Sequence, residues 1–150
     1  MDPLLDQKSP DTTSHEFVWE FDTLAYPKSY QTLVSSLWGS SENDVYAVGH
    51  NDRSAGQIWH WDGIKWRSLV NRDSGPIDPL FLRGGSFNQV FGTSKDDVWI
   101  VGGNVRGRYP DFIRQYLILN YDGVNWTKKE FDGFEVLSVW GSGPDDMWFG

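Results

Sequence analysis

The sequence predicts an all-β fold built from short antiparallel strands, and three observations carry that prediction. One stretch recurs: Leu37-Trp38-Gly39-Ser40-Ser41-Glu42-Asn43-Asp44-Val45-Tyr46-Ala47-Val48-Gly49 returns as Val90-Phe91-Gly92-Thr93-Ser94-Lys95-Asp96-Asp97-Val98-Trp99-Ile100-Val101-Gly102. It begins again as Val139-Trp140-Gly141-Ser142-Gly143-Pro144-Asp145-Asp146-Met147-Trp148-Phe149-Gly150. A second block trails the first two copies, Trp59-His60-Trp61-Asp62-Gly63-Ile64-Lys65-Trp66 and then Leu119-Asn120-Tyr121-Asp122-Gly123-Val124-Asn125-Trp126. Finally, the apolar runs are short, rich in aromatic and β-branched residues, and divided by Gly, Asn, Asp and Ser clusters. Apolar residues do not recur at the i, i+3, i+4 spacing of an amphipathic helix, so almost no helix is expected.

Composition bounds what such a fold can do. The chain has 150 residues, a length that suits one ordinary domain, and its nine tryptophans and 16% aromatic content can fill a core. With no cysteine, disulfides and thiolate chemistry are excluded. A net charge of -8 argues against a phosphate backbone as ligand, so no nucleic-acid partner is expected. No run approaches the roughly 18 apolar residues of a spanning helix, so membrane insertion is not expected. Met1 to Pro10 lack the cationic-then-apolar order of a signal peptide.

Taken in order, residues 1–16 are polar and read as a linker or the end of a preceding domain. Phe17 to Leu24 reads as a strand, and Tyr26-Pro27-Lys28-Ser29 as a turn. The first repeat, residues 32–70, divides into four strands at about Leu33 to Trp38, Val45 to Val48, Gln57 to Trp61 and Trp66 to Val70. The second, residues 86–131, places them at about Asn88 to Phe91, Val98 to Val101, Gln115 to Tyr121 and Trp126 to Phe131. The third, residues 135–150, supplies Glu135 to Trp140 and Met147 to Phe149. The second strands are continuously apolar and suit a position covered on both faces.

Spacing narrows the architecture. Trp38 and Phe91 are 53 residues apart, and Phe91 and Trp140 are 49 apart. Four strands in about 40–50 residues is the period of a β-propeller blade. Two full blades and the start of a third fall short of the roughly 4–8 that close a ring. The expectation is therefore an incomplete ring, completed by remaining blades of a longer chain or by self-association. Trp19 lies 19 residues before Trp38, within the 14 to 25 that separate a fourth-strand Trp from the next first-strand aromatic, so residues 17–24 could serve as a closing outer strand.

The pattern Val-Trp-Gly-Ser…Asp-Val-Trp-x-Val-Gly…Tyr-Asp-Gly-x-x-Trp resembles bacterial propeller repeats related to kelch and galactose-oxidase central-domain blades, from roughly Phe17 onward. Gly102-Gly103, then Tyr121-Asp122 and Trp126, are the most kelch-like features. His50 stands where the first copy would carry the second glycine, and Gly150 aligns with Val48 and Val101. The resemblance implies a secreted or cell-surface bacterial protein.

The repeated residues read as structure. Trp38, Phe91, Trp140, Trp66 and Trp126 suit packing between blades, where one ring buries roughly 150–250 Å². Gly39, Gly92 and Gly141 suit a bend or a close backbone approach. Asp44, Asp97 and Asp146 follow a polar turn and could bond nearby backbone N–H groups; as metal ligands they would need several oxygens at one place. Asp62-Gly63 and Asp122-Gly123 are hairpin signals requiring positive φ at glycine. His15, His50 and His60 are scattered, and no hydrolase, zinc or phosphate-loop motif is present. No catalytic residue, metal site or cofactor is assigned.

Strand alternation places the second-to-third and fourth-to-first connections on one face of the molecule. There the copies differ: Gly49 to Trp61 spans 12 positions against 19 for Gly102 to Tyr121, and Trp66 to Phe91 spans 25 against 14 for Trp126 to Trp140. Loops on a rigid scaffold are where binding concentrates. These hold His50, Asp52, Arg53, Arg106, Arg108, Tyr109 and Arg114, besides Arg72, Asp73, Asp78 and Arg83; the alternative is a solvated loop with locally paired charges. Arginine forks beside tyrosine suit a carboxylate, a sugar or an acidic protein strip. The functional expectation is a non-catalytic binding or scaffold module with a protein or carbohydrate partner. The alternative is a glycan-active hydrolase or transferase whose catalytic residues lie elsewhere.

Overall fold

The computed structural model describes residues 20–53, 57–70, 75–78, 85–106, 110–111 and 113–150. Among them the chain is all-β, with strands β1 (Thr32–Ser41), β2 (Asp44–Asn51), β3 (Ile58–Trp61), β4 (Trp66–Ser68), β5 (Ser86–Ser94), β6 (Asp97–Arg106), β7 (Ile113–Tyr121), β8 (Trp126–Asp132), β9 (Val139–Gly143) and β10 (Asp146–Phe149). They form two four-stranded antiparallel sheets, β1-β2-β3-β4 and β5-β6-β7-β8, and a two-stranded sheet β9-β10. Each sheet takes one copy of the repeat, and its strands pair in chain order.

Local chemistry explains the connections. Gly63 and Gly123 adopt φ of 84° and 87°, as the Asp-Gly turns require. In each turn the aspartate caps the backbone. Asp62 Oδ1 accepts from the Ile64 and Lys65 N–H groups at 3.0 and 2.9 Å, and Asp122 Oδ1 from Val124 and Asn125 at 2.9 and 2.7 Å. The Tyr26–Ser29 turn closes through the Ser29 N–H to the Tyr26 carbonyl at 3.0 Å, with Lys28 at φ 62° behind Pro27. Of the strand expected at Phe17 to Leu24, residues 20–24 lie in coil outside any sheet, with Phe21 exposed; the rest lies outside the described residues.

The first two strands of every sheet share one irregularity. Register slips by a residue between Gly39 and Ser41, between Gly92 and Ser94, and between Gly141 and Gly143. The extra residue is Ser40, Thr93 or Ser142, and its bulge draws the opposite carbonyl inward. A β-carbon at Gly39, Gly92 or Gly141 would lie 2.9, 2.7 or 2.5 Å from the carbonyl oxygen of Asp44, Asp97 or Asp146, which is why only glycine fits.

The sheets stack face to face. Tyr46, Val48 and Ile58 of the first pack with Val90, Val98, Ile100, Leu117 and Leu119 of the second, flanked by Trp38 and Trp126. On the second sheet's other face, Val101 and Ile118, with Phe91, Trp99 and Phe131, meet Val139 and Met147 of the third. Consequently the second strands are enclosed, and Ala47, Val48, Val98, Ile100 and Val101 are buried. Neighbouring sheets approach most closely along β1, β2, β5 and β9.

One hydrogen bond recurs at each joint. The Val90 N–H donates to Ser36 Oγ at 3.3 Å, and the Val139 N–H donates to Gln89 Oε1 at 3.0 Å. Ser36 and Gln89 occupy the same repeat position, two before the aromatic, as do Val90 and Val139, one before it. An edge-strand donor facing the neighbouring sheet is thereby satisfied by a side chain from that sheet.

Candidate functional site

Two clusters present themselves, and their repetition decides between them. The first joins Ser40, Asp44 and His60. Ser40 Oγ donates to Asp44 Oδ2, and His60 Nε2 lies 2.6 Å from Asp44 Oδ1. Although the residue types suggest a hydrolase, the hydroxyl bonds the carboxylate rather than the imidazole, so nothing there would take its proton. The same arrangement recurs without histidine. Thr93 and Ser142 donate to Asp97 and Asp146 at 2.5 Å each, while Trp99 and Trp148 Nε1 donate to the other carboxylate oxygen at 2.8 and 2.9 Å. In the first copy Tyr46 replaces that tryptophan, and His60 supplies the missing contact beneath the Tyr46 ring, 4.5 Å between centroids. Aspartate thus ties the bulge hydroxyl to its own sheet. The donors are side chains, where the sequence suggested backbone N–H groups.

The second cluster occurs once. A cleft of about 380 Å³ opens at the end carrying the β2–β3, β4–β5, β6–β7 and β8–β9 connections. Its walls come from the first two sheets and one connection: His50 from the end of β2, Ser86 and Asn88 from β5, Gly103 and Asn104 from β6, Arg114 and Tyr116 from β7, and Glu135 from the β8–β9 connection. The walls combine a guanidinium, an imidazole, a phenol ring, two amides and one carboxylate. Such a set can stack against an apolar face while bonding hydroxyls or a carboxylate along its edge. A glycoside hydrolase uses a carboxylate pair, and Glu135 is the single carboxylate among the described residues of this lining.

Of the residues singled out from sequence, His50 and Arg114 face this cleft across two sheets. Asp52 and Arg53 have another task. Asp52 accepts from Ser29 Oγ at 2.6 Å and from the Tyr30 and Gln31 N–H groups, and the Ser29 bond foremost holds its carboxyl below the usual range. Arg53 Nε donates to the Lys28 carbonyl at 2.8 Å, and its guanidinium lies over the Tyr30 ring. The pair fastens residues 28–31 to the β2–β3 connection, so local pairing describes these two. Arg106 ends β6, and nothing is described of its side chain; Arg72, Asp73, Arg83, Arg108 and Tyr109 lie outside the described residues.

Sequence reasoning did not bring Asn88, Tyr116 or Glu135 into the site. A signal for the location existed nonetheless. Asn51, Gln57, Asn104 and Gln115 are buried amides at this same end of the strands, where inward positions elsewhere are apolar. Asn51 Nδ2 bonds Ser29 Oγ and Thr32 Oγ1 at 2.9 and 2.7 Å, and Gln115 Nε2 bonds Glu130 at 2.9 Å. Buried polar groups demand partners, so this end is the polar one. Among the described residues no group of three or more His, Asp or Glu converges as a metal site.

Compared with known proteins, the chain matches no family model, no curated protein and no solved structure.

Proposed function

We propose that the chain is a non-catalytic binding or scaffold module of a secreted or surface bacterial β-propeller protein, kelch-like in its repeats, that holds a protein or glycan at its variable-loop end. The observation that carries this reading is the cleft between His50, Arg114, Tyr116 and Glu135, walled by two successive sheets and the β8–β9 connection. Its volume of about 380 Å³ lies at the small end of the usual 300–1,000 Å³ range of ligand sites. That size suits a sugar ring or one protein side chain. A tyrosine face beside amides and a guanidinium is a chemistry that stacks on a pyranose and bonds its hydroxyls, so a glycan is the narrower reading. The propeller reading draws support from the face-to-face stacking, the shared joint bond and the close approach along the first strands.

A glycan array tests the narrower reading directly. The wild-type chain is expected to mark a defined set of glycans, and Arg114→Ala with Tyr116→Ala to lose them, because both side chains line the cleft. Binding unchanged in the double variant would remove the cleft from the mechanism. A blank array with protein partners recovered through the same two residues would favour the scaffold reading.

A further inference from the structure

The polar side chains of the cleft differ from their counterparts elsewhere in what they bond. Outside it, each arginine and histidine among the described side chains is engaged: Arg53 on the Lys28 carbonyl at 2.8 Å, Arg67 on Asp62 at 2.6 Å and His60 on Asp44 at 2.6 Å. Inside it, the side chains of His50 and Arg114 bond no described residue. The same holds for the side chains of Ser86, Asn88, Tyr116 and Glu135. Arg114 and Glu135 carry opposite charges in one cleft and form no ion pair with each other. Groups that leave one another unpaired around a space of about 380 Å³ are matched to an occupant.

Two local devices hold them there. Asn88 is the extra residue of a bulge in β5, where register slips between Phe87 and Gln89, and a bulge re-aims its side chain. Gly103 faces Tyr116 across β6 and β7. A β-carbon on Gly103 would stand 2.8 Å from the Gln115 carbonyl oxygen and 3.3 Å from Tyr116 Cδ1, so the bare backbone leaves room for the phenol ring. His50 fills the same repeat position in the first copy, and the arrangement therefore exists once.

The charges narrow the occupant. Arg114 presents a planar fork of N–H donors that matches a carboxylate. Asn88, Ser86 and Tyr116 add donors, whereas the Glu135 carboxylate only accepts. An occupant that satisfies both ends needs an anionic group on one side and hydrogen-bond donors on the other. A pyranose bearing a carboxylate has both, its hydroxyls being the donors. We propose that the cleft receives a carboxylated sugar, hexuronic or sialic in type, with its carboxylate on Arg114 and its hydroxyls on Glu135 and Asn88. The proposal rests on the glycan reading of the cleft. The chain's net charge of -8 repels an anionic glycan at long range, so such binding has to be made locally, at the fork.

Isothermal titration of the whole chain tests it with paired probes: oligosaccharides ending in glucuronate, galacturonate or sialate, each beside its carboxyl-reduced form. Wild type is expected to bind one or more acidic probes at least about tenfold more tightly than the reduced form. Arg114 is exposed, so Arg114→Gln should keep the wild-type circular dichroism. It is expected to bring the ratio to about one, and Arg114→Lys, which keeps the charge without the fork, to restore part of it. Equal binding of the two forms would overturn the proposal and leave the glycan reading standing, as would a ratio that survives Arg114→Gln. A lysine no better than glutamine would overturn it as well. Binding of no probe in either form would overturn the proposal together with the glycan reading on which it rests.

Discussion

At the scale of single residues, the aspartates beside the bulges and those of the Asp-Gly turns do different work. Asp97 is half-buried and accepts from Thr93, Trp99 and, at 3.4 Å, Asn120 Nδ2, so Asp97→Ala strips a partner from three donors. Bonds to a charged acceptor contribute about 1.5–3 kcal/mol each, not additively, and urea unfolding is expected to show a loss of about 2–3 kcal/mol. Asp62 is half-buried too but acts through its charge. The Lys65 N–H foremost, then Arg67 at 2.6 Å, hold its carboxyl down at about 2. A carboxyl lowered on folding stabilises the fold above its unfolded value of about 4. That contribution fades as pH falls from about 4 towards 2. Asp62→Asn keeps an oxygen for the turn but has no proton to gain. Its midpoint of unfolding should therefore vary less than wild type across that acid interval, and an identical slope would refute the assignment.

At the scale of elements, strand positions were legible because their causes are local. Val98 to Val101 reads as enclosed because it is apolar without alternation, and β6 is buried there. Asp122-Gly123 reads as a turn because only glycine takes its φ of 87° cheaply. The expected strand at 17–24 had propensity alone, and its described residues, 20–24, form no strand. The joints were not legible, since nothing local marks Ser36 or Gln89 as an acceptor for the next sheet. Gln89→Ala tests one joint. It should cost about 1 kcal/mol, the net value of one such bond, and speed hydrogen exchange at the Val139 amide more than at its neighbours. Uniform exchange would mean that the bond contributes nothing specific.

At the scale of the whole molecule, the two ends of the stack differ in kind. One end repeats the same bulge, hydroxyl and aspartate in all three sheets, and the other carries connections of unequal length. His50 and Arg114 were legible as candidates because they sit in those unequal connections. Tyr116 and Glu135 were not, because their meeting with His50 depends on how the first two sheets stack and where the β8–β9 connection returns, which no stretch of sequence records. The joint bond has one further consequence. Its donor is a main-chain N–H, which every residue except proline brings, so only the acceptor has to be encoded. Serine serves at one joint and glutamine at the other. A gene that duplicates one repeat therefore inherits a working seam at once, and each copy is free to drift in sequence while the row it belongs to stays in step.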